Sequence, residues 1–169
     1  MRRILTVVLV ALVALGASSI AFAQDKATPE EVIAKVRQAA AALSKSGDLE
    51  QFKQQQGPWV WKDTYVFVLD CDKKVAAVNA KFPQHQGMPL TAVKDVHGKQ
   101  LYGDPAAFCE AATKPAGTWI EYSWPKPGQK EGLRKVSYFL GAKGTPYVVG
   151  AGVYDDKASI AELTAMSSK

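Results

Sequence analysis

The stretch that decides the fold is TWIEYSWPKPGQKEGLRKVSYFLGAKGTPYVVGAGVY, which runs from Thr118 to Tyr154. It contains three runs rich in β-branched and aromatic residues, Thr118–Trp124, Leu133–Leu140 and Pro146–Tyr154, joined by short connections rich in glycine, proline and lysine. A parallel crossover needs about a dozen residues or more, so short connections indicate consecutive antiparallel strands. The stretch therefore predicts a three-stranded antiparallel meander.

Large side chains occur at both odd and even positions of these strands. Trp119 and Phe139 are at odd positions, and Tyr122, Trp124 and Tyr138 are at even ones. A sheet with one dry and one wet face would show a cleaner alternation. We therefore expect both faces of this sheet to be covered.

The first residues have the pattern of an export signal. Met1–Arg3 is positively charged, Ile4–Leu15 is apolar, and Ala21–Ala23 is a small-x-small cleavage signature. The alternative is a retained anchor, because about 20 apolar residues span a bilayer. We expect cleavage after Ala23 and a periplasmic location, which leaves residues 24–169 as one domain with a single core.

The charge of the chain argues against some partners. Loss of Arg2 and Arg3 lowers the formal net charge from +5 to +3, and the lysines are scattered rather than clustered. This pattern lacks the footprint of a nucleic-acid-binding protein and favours small anionic partners. No cofactor motif is present.

The two cysteines, Cys71 and Cys109, have two interpretations. One is a reactive thiol or metal ligand, and the other is a structural disulfide. Only two histidines are present, His85 and His97, and neither has metal-ligand spacing. In an oxidising compartment the disulfide is the favoured interpretation, and no metal site is expected.

An amphipathic helix is predicted near the start of the mature chain. Thr28-Pro29-Glu30-Glu31 is a capping box with proline at the first helical position, and the helix should end near Ser46-Gly47. Its apolar stripe consists of Val32, Ile33, Val36, Ala39, Ala40 and Leu43. The stripe should pack on one face of the sheet; if two chains share it instead, a homodimer through this helix is expected.

A second helix and a hairpin follow. Asp48–Gln56 predicts a short helix, Trp59–Leu69 a strand, and Val75–Val78 the returning strand of a hairpin. Residues 79–113 are rich in proline and glycine, with one short helix predicted to start at Asp104-Pro105. So long a connection is uncommon unless it is functional. We expect it to cover the second face of the sheet and enclose a cavity, with Cys71–Cys109 holding the cover in place.

At this point the chain resembles a known family. It resembles a single Cache domain of the second type, which is a sensor module of bacterial chemoreceptors and sensor kinases. The resemblance lies in the capped helix, the irregular connection and four segments: YVFVLDCDKKV, GTWIEYSWPKPG, KVSYF and the closing PYVVGAGVY. The resemblance covers about Thr28 to Tyr154. It implies an α+β fold with a PAS-like five-stranded antiparallel sheet, a long helix on one face, and a pocket for a small carboxylate under the loops on the other. In most relatives a transmembrane helix follows directly, whereas here the chain ends soon after Tyr154. We therefore expect a free-standing exported module that signals through a separate membrane receptor or sensor kinase.

A carboxylate site needs one cation and a few oriented donors, because an unpaired buried anion is costly. We expect Lys135 to supply the charge, Tyr122 and Tyr138 the hydroxyl donors, and Asn79 an amide; Asn79-Ala80 stands where many relatives have His-Pro. The apolar wall is assigned to Trp124 and Tyr102. Lys135 and Tyr138 are three residues apart, so an ideal strand places them on opposite faces. Either a bulge redirects one of them, or Arg134 is the cation.

Other functions have less support in the sequence. HExxH, P-loop and GxSxG motifs are absent, so we expect no enzyme. Asp70 and Asp72 are interpreted as turn residues rather than paired acids, and Gly150 and Gly152 as a close backbone approach. The alternative function is an exported interaction protein that has kept the fold and lost ligand binding.

Overall fold

The computed structural model describes residues 25–169, so the predicted signal peptide and its cleavage site lie outside the described residues. Three α-helices are present in this range: α1 (Pro29–Ser46), α2 (Pro105–Thr113) and α3 (Ile160–Ser167). The strands are β1 (Val60–Trp61), β2 (Thr64–Tyr65), β3 (Phe67–Asp70), β4 (Val75–Asn79), β5 (Thr118–Pro125), β6 (Gly132–Gly141) and β7 (Tyr147–Tyr154). No helix among the described residues has the length and hydropathy needed to cross a membrane.

Five strands form one antiparallel sheet in the order β4-β3-β7-β6-β5. The last strand, β7, lies in the middle, between β3 and β6. The predicted meander of β5, β6 and β7 is therefore confirmed, and the hairpin of β3 and β4 completes the sheet through β7. The α+β architecture expected from the sequence is present.

One face of the sheet is covered by α1. The capping box is formed, since Thr28 Oγ1 accepts from the Glu31 backbone N–H and the Glu31 carboxylate accepts from the Thr28 N–H. The helix ends at Gly47, whose left-handed φ of 66° allows its N–H to reach the Leu43 carbonyl. All six predicted stripe residues are buried within this single chain. A homodimer was expected if two chains shared this stripe, and α1 instead buries it within one chain. Dimerisation itself stays a prediction.

The other face is covered by the long connection between β4 and β5, as expected. It includes two 3₁₀ turns, Pro83–His85 and Leu90–Ala92, followed by α2. Cys109 on α2 forms the disulfide with Cys71 at the end of β3. The disulfide prediction is therefore confirmed, and it fixes one end of the cover to the sheet.

Three segments differ from the sequence-based expectation. The helix predicted over Asp48–Gln56 is only a 3₁₀ turn, Glu50–Phe52. The strand predicted over Trp59–Leu69 is divided, because Lys62 takes a left-handed conformation with φ 47° and makes β1 and β2 a small separate hairpin. The polar composition of Asp155–Lys169, with only Ile160 and Leu163 as apolar signals, predicts at most a frayed terminal helix. The helix α3 is docked instead, because Ser167 at its end accepts hydrogen bonds from Trp119 Nε1 and from Arg37.

The two glycines of β7 mark the close approach that the sequence predicted. A Cβ atom at Gly150 would lie 2.7 Å from the Phe67 ring, and one at Gly152 would lie 2.2 Å from Ser137 Oγ. Both positions face the side of the sheet under the cover. Their missing side chains leave room for the aromatic residues that fill it.

Candidate ligand-binding site

A row of three residues crosses the covered face of the sheet. Lys135 on β6 pairs directly with Tyr122 on β5 and with Tyr154 on β7. Directly opposed residues of antiparallel strands point to the same face. The register therefore places an ammonium group between two tyrosines.

Lys135 is the most unusual residue of this row, since its exposed fraction is 0%. Its Nζ atom lies 4.4 Å from the ring centroid of Tyr65, 5.0 Å from that of Tyr154 and 5.6 Å from that of Phe67. Within residues 25–169 it has no hydrogen-bond partner. An ammonium group has three donors, so all three are unused in this environment.

The charge state of Lys135 depends on the cost of burying its ammonium group and on the few contacts that offset this cost. Cation–π contacts in a desolvated site are worth about 2 kcal/mol, whereas taking an ion out of water costs several kcal/mol. Burial accordingly lowers the pKa of Lys135 to about 7, and the nearby carboxylate of Asp63 opposes part of this shift. The amine is therefore poised between its charged and neutral forms near neutral pH.

Asp63 is not free to pair with Lys135. It lies at the turn between β1 and β2 with an exposed fraction of 1%. One carboxylate oxygen accepts from the Ala27 N–H at 2.9 Å, and the other accepts from Lys126 Nζ at 2.7 Å. Lys126 also lies 5.3 Å from the ring centroid of Tyr154, on which Lys135 packs as well. Asp63 thus connects the segment before α1, the β5–β6 connection and the surroundings of Lys135.

Tyrosine hydroxyls surround the row. The Tyr122 hydroxyl bonds Ser137 Oγ at 2.8 Å, and the Tyr65 hydroxyl accepts from Trp124 Nε1 at 3.1 Å. Burial raises the pKa of Tyr65, Tyr102 and Tyr122, so these groups are neutral donors at physiological pH.

A small cavity lies between this face and the cover, with a volume of about 20 Å³. That space is enough for about one water molecule. Four of the predicted site residues line it: Asn79, Tyr102, Tyr122 and Trp124. Lys135 does not line it directly, but Tyr65, whose ring its ammonium contacts, does.

Two predicted site residues lie elsewhere. The pairing of β5 with β6 runs without a bulge from Thr118–Phe139 to Pro125–Gly132, so residues 134 and 138 face away from Lys135. Tyr138 packs in the α1 core and donates to the Ala116 carbonyl. Arg134 pairs with Glu121 and donates to backbone carbonyls near α3. The structure thus brings neither Tyr138 nor Arg134 to the cavity, because the regular alternation of β6 was not broken.

Three residues of the candidate site were not predicted from the sequence. Tyr154 ends the Gly-x-Gly-x-Tyr motif, and its position two residues after Gly152 places it on the same face as the glycines. Tyr65 lies in a strand that is buried on both faces, where alternation gives no signal. Asp63 lies in the turn between β1 and β2, where the sequence predicted a continuous strand.

The sequence profile of the Cache domain, type 2, matches residues 49–159, which is most of the described chain. The chain belongs to the Cache domain family. Its members are non-enzymatic signalling domains, so the expectation that the chain is not an enzyme agrees with the family.

Similar proteins are chemotaxis sensors. The chain is 32% identical over 94 residues to the methyl-accepting chemotaxis protein McpP of Pseudomonas putida KT2440; the match covers 56% of this chain and 16% of that protein. Among solved structures it is similar to a periplasmic sensor domain of a chemotaxis protein (23% identity, TM-score 0.54, 76% of this chain and 90% of that one). It is also similar to a methyl-accepting chemotaxis protein of Vibrio parahaemolyticus (24% identity, TM-score 0.56, 75% and 88%).

A third solved structure, described as the basis for carboxylic acid recognition by a Cache chemosensory domain, has 22% identity and a TM-score of 0.53, with coverage of 73% and 86%. At these identities the likeness shows the fold of this Cache domain alone. The chain is thus a Cache domain by its family model and by its fold.

Proposed function

We propose that this Cache domain binds a small organic carboxylate through Lys135. The observation that carries the proposal is the buried Nζ atom, which has no hydrogen-bond partner within residues 25–169. A buried charge without a partner costs several kcal/mol and is retained in a fold only with a reason. A carboxylate would supply the missing negative charge and the missing hydrogen-bond acceptors.

The neighbours of Lys135 suit the rest of such a ligand. The Tyr122 hydroxyl can donate to an anion while it accepts from Ser137, and Tyr102 is a second tyrosine that lines the cavity. Asn79 adds a polar side chain, and Trp124 an apolar wall. The solved Cache domain described in terms of carboxylic acid recognition supports this ligand class.

Binding requires the site to open. The volume of about 20 Å³ is less than a carboxylic acid occupies, and the Tyr65 ring lies against the ammonium group. The cover between β4 and α2 is the segment that has to move, since α2 is held to β3 by the disulfide. The small volume is also the observation that favours the second candidate, an interaction protein with the Cache fold and no ligand.

Calorimetric titration of the mature protein with acetate, propionate, pyruvate and lactate separates the two candidates. We expect at least one acid to bind, and we expect Lys135→Met to abolish that binding. Lys130→Met is the matched control, because Lys130 is exposed on the β5–β6 connection. If no acid binds to the wild-type protein, the interaction-protein candidate replaces the sensor. If both variants bind an acid as well as wild type does, the domain binds acids but not through Lys135.

We further propose that the domain works in the periplasm and passes its signal to a membrane receptor or sensor kinase. The support is the export-type N-terminus in the sequence and the similarity to a methyl-accepting chemotaxis protein. Cell fractionation and N-terminal sequencing test the location and the cleavage after Ala23. Crosslinking in cells, with and without the bound acid, tests for a membrane partner; recovery of the uncleaved protein in the cytoplasm would contradict the proposal.

A further inference from the structure

A second pocket lies directly outside the cavity. It has a volume of about 170 Å³ and is open to solvent. Its walls combine the apolar residues Phe82, Val96 and Pro125 with the polar residues Gln84, Lys94 and Asp95. Val96 has an exposed fraction of 47%. Two residues, His85 and Trp124, line both this outer pocket and the enclosed cavity. One layer of side chains therefore separates the two spaces.

His85 and Trp124 form the partition between the two spaces, and their side chains are held by different contacts. Trp124 is fixed, since its Nε1 donates to the Tyr65 hydroxyl and its ring contacts Tyr122 and Phe82 edge to face. The His85 ring is tilted by 45° against Trp124, with the two centroids 5.1 Å apart, and its centroid lies 6.2 Å from that of Phe82. Its Nδ1 atom is buried and has no hydrogen-bond partner in residues 25–169.

The backbone of His85 is held by hydrogen bonds, whereas its ring is held by contacts with other rings. The His85 N–H donates to the Phe82 carbonyl at 3.0 Å, and the His85 carbonyl accepts from the Met88 N–H at 2.9 Å. Asn79 Oδ1 in turn holds the Phe82 N–H. The imidazole can therefore rotate about its side-chain torsions while these backbone hydrogen bonds stay formed; entry of the acid into the inner space still needs movement of the cover.

We propose that the His85 ring is the movable part of this partition and sets the length of the acid that the domain accepts. With the ring in place, a ligand is confined to the inner space beside Tyr122; with the ring displaced, the alkyl chain extends into the outer pocket over Phe82 and Trp124. This inference rests on the proposed function, because it concerns the tail of the acid whose carboxylate is assigned to Lys135. The unpartnered Nδ1 atom and the apolar part of the outer pocket, formed by Phe82, Val96 and Trp124, support it.

The test is calorimetric titration of wild-type protein, His85→Ala, His85→Phe and Gln84→Ala with the straight-chain acids from acetate to hexanoate. In His85→Ala we expect affinity to keep rising about fourfold with each added methylene, from about 0.8 kcal/mol per buried CH₂, so that its optimum is at least two carbons longer than in wild type. His85→Phe keeps a ring in the partition, and Gln84→Ala changes only the outer pocket. Both should keep the wild-type optimum, and circular dichroism checks that every variant is folded.

The corresponding primary alcohols, from ethanol to hexanol, separate this inference from the proposed function, since they do not need Lys135. An equal length optimum in wild type and folded His85→Ala, for acids and alcohols alike, would overturn the role of His85 and leave carboxylate binding intact. Binding of the longer alcohols to His85→Ala alone, with no acid bound by any variant, would instead keep the partition and overturn the carboxylate site.

Discussion

Tyr122 and Lys135 stand directly opposite each other on β5 and β6, with both side chains under the cover. Side-chain direction in a strand alternates at every residue, so a slip of one position would move Lys135 into the core beneath α1. The unbroken pairing from Thr118 to Pro125 prevents such a slip. The register of this hairpin is therefore what creates a buried ammonium group beside a tyrosine hydroxyl.

Replacement of Lys135 by methionine should change the pH dependence of stability. The pKa of Lys135 is about 7 in the folded protein, against an ordinary value of 10.5. Between these pH values the unfolded chain binds more protons, so the wild-type free energy of unfolding should rise with pH, by at most about 1.4 kcal/mol per pH unit. The full cost of the buried charge is present below pH 7, where Lys135→Met should be more stable than wild type by about 1–4 kcal/mol.

Urea denaturation at intervals from pH 6 to 10 measures this difference. Buried tyrosines titrate in both proteins, so the difference between wild type and Lys135→Met isolates the lysine. The advantage of the variant should shrink steadily above pH 7. A difference that stays constant with pH would show that the pKa of Lys135 is the same in the folded and unfolded chains.

Carboxylate affinity should fall as the pH rises through about 7. An anion binds the charged form of Lys135, and the pKa of about 7 makes this form scarcer at higher pH. Small carboxylic acids are ionised throughout the range from pH 6 to 9, so the change belongs to the protein. We expect the dissociation constant to be nearly constant below pH 6.5 and to rise about tenfold per unit above pH 7.5.

Lys135→Arg is the informative comparison, because an arginine keeps its charge across this range. If the variant still binds, its affinity should not change with pH. Calorimetry at pH 6, 7, 8 and 9 measures both proteins. A wild-type affinity that is flat over these four values would contradict a titrating lysine at the site.

The sequence predicted the layers of the fold better than the faces of the strands. Hydrophobic periodicity, the capping box at Thr28 and the short connections after Trp124 and Leu140 are local signals, and each corresponds to an element of the structure. The sequence does not show which residues of different strands share a face of the sheet. Even positions of β5 share a face with odd positions of β6, and this relation depends on the length and geometry of the connection between them.

The placement of Tyr138 shows the consequence. Its distance of three residues from Lys135 already indicated opposite faces, and the structure follows the alternation without a bulge. Tyr65 and Asp63 could not have been assigned to the site, because a left-handed residue at Lys62 created the turn that positions them. Lysine rarely takes this conformation, so its type gives no warning.

Removal of the disulfide should destabilise the cover more than the sheet. Cys71 and Cys109 are 38 residues apart, and on the chain-entropy model a loop of this length contributes about 4 kcal/mol. We expect the double variant Cys71→Ala/Cys109→Ala to lose a few kcal/mol of unfolding free energy. Amide exchange should also increase most in α2 and in the segment from Pro83 to Ala92.

Hydrogen exchange followed by mass spectrometry, on wild type and the double variant, resolves the segments. β6 and β7 serve as the internal reference, since they lie within the sheet. Equal increases in the cover and in these strands would mean that the bond stabilises the whole fold uniformly, contrary to the expectation.

Asp63→Asn and Lys126→Met break the same ion pair and should shift Lys135 in opposite directions. Asp63 raises the pKa of Lys135, so its neutralisation should lower that pKa from its value of about 7. Loss of Lys126 leaves the Asp63 carboxylate without its 2.7 Å ammonium partner, so the carboxylate acts more strongly on Lys135 and the pKa should rise. NMR titration of lysine labelled at Cε reports this pKa without any ligand. Both variants should lose about 1–3 kcal/mol of stability, so stability alone does not distinguish them. If the pKa of Lys135 moved in the same direction in both variants, Asp63 would not act on Lys135 through its charge.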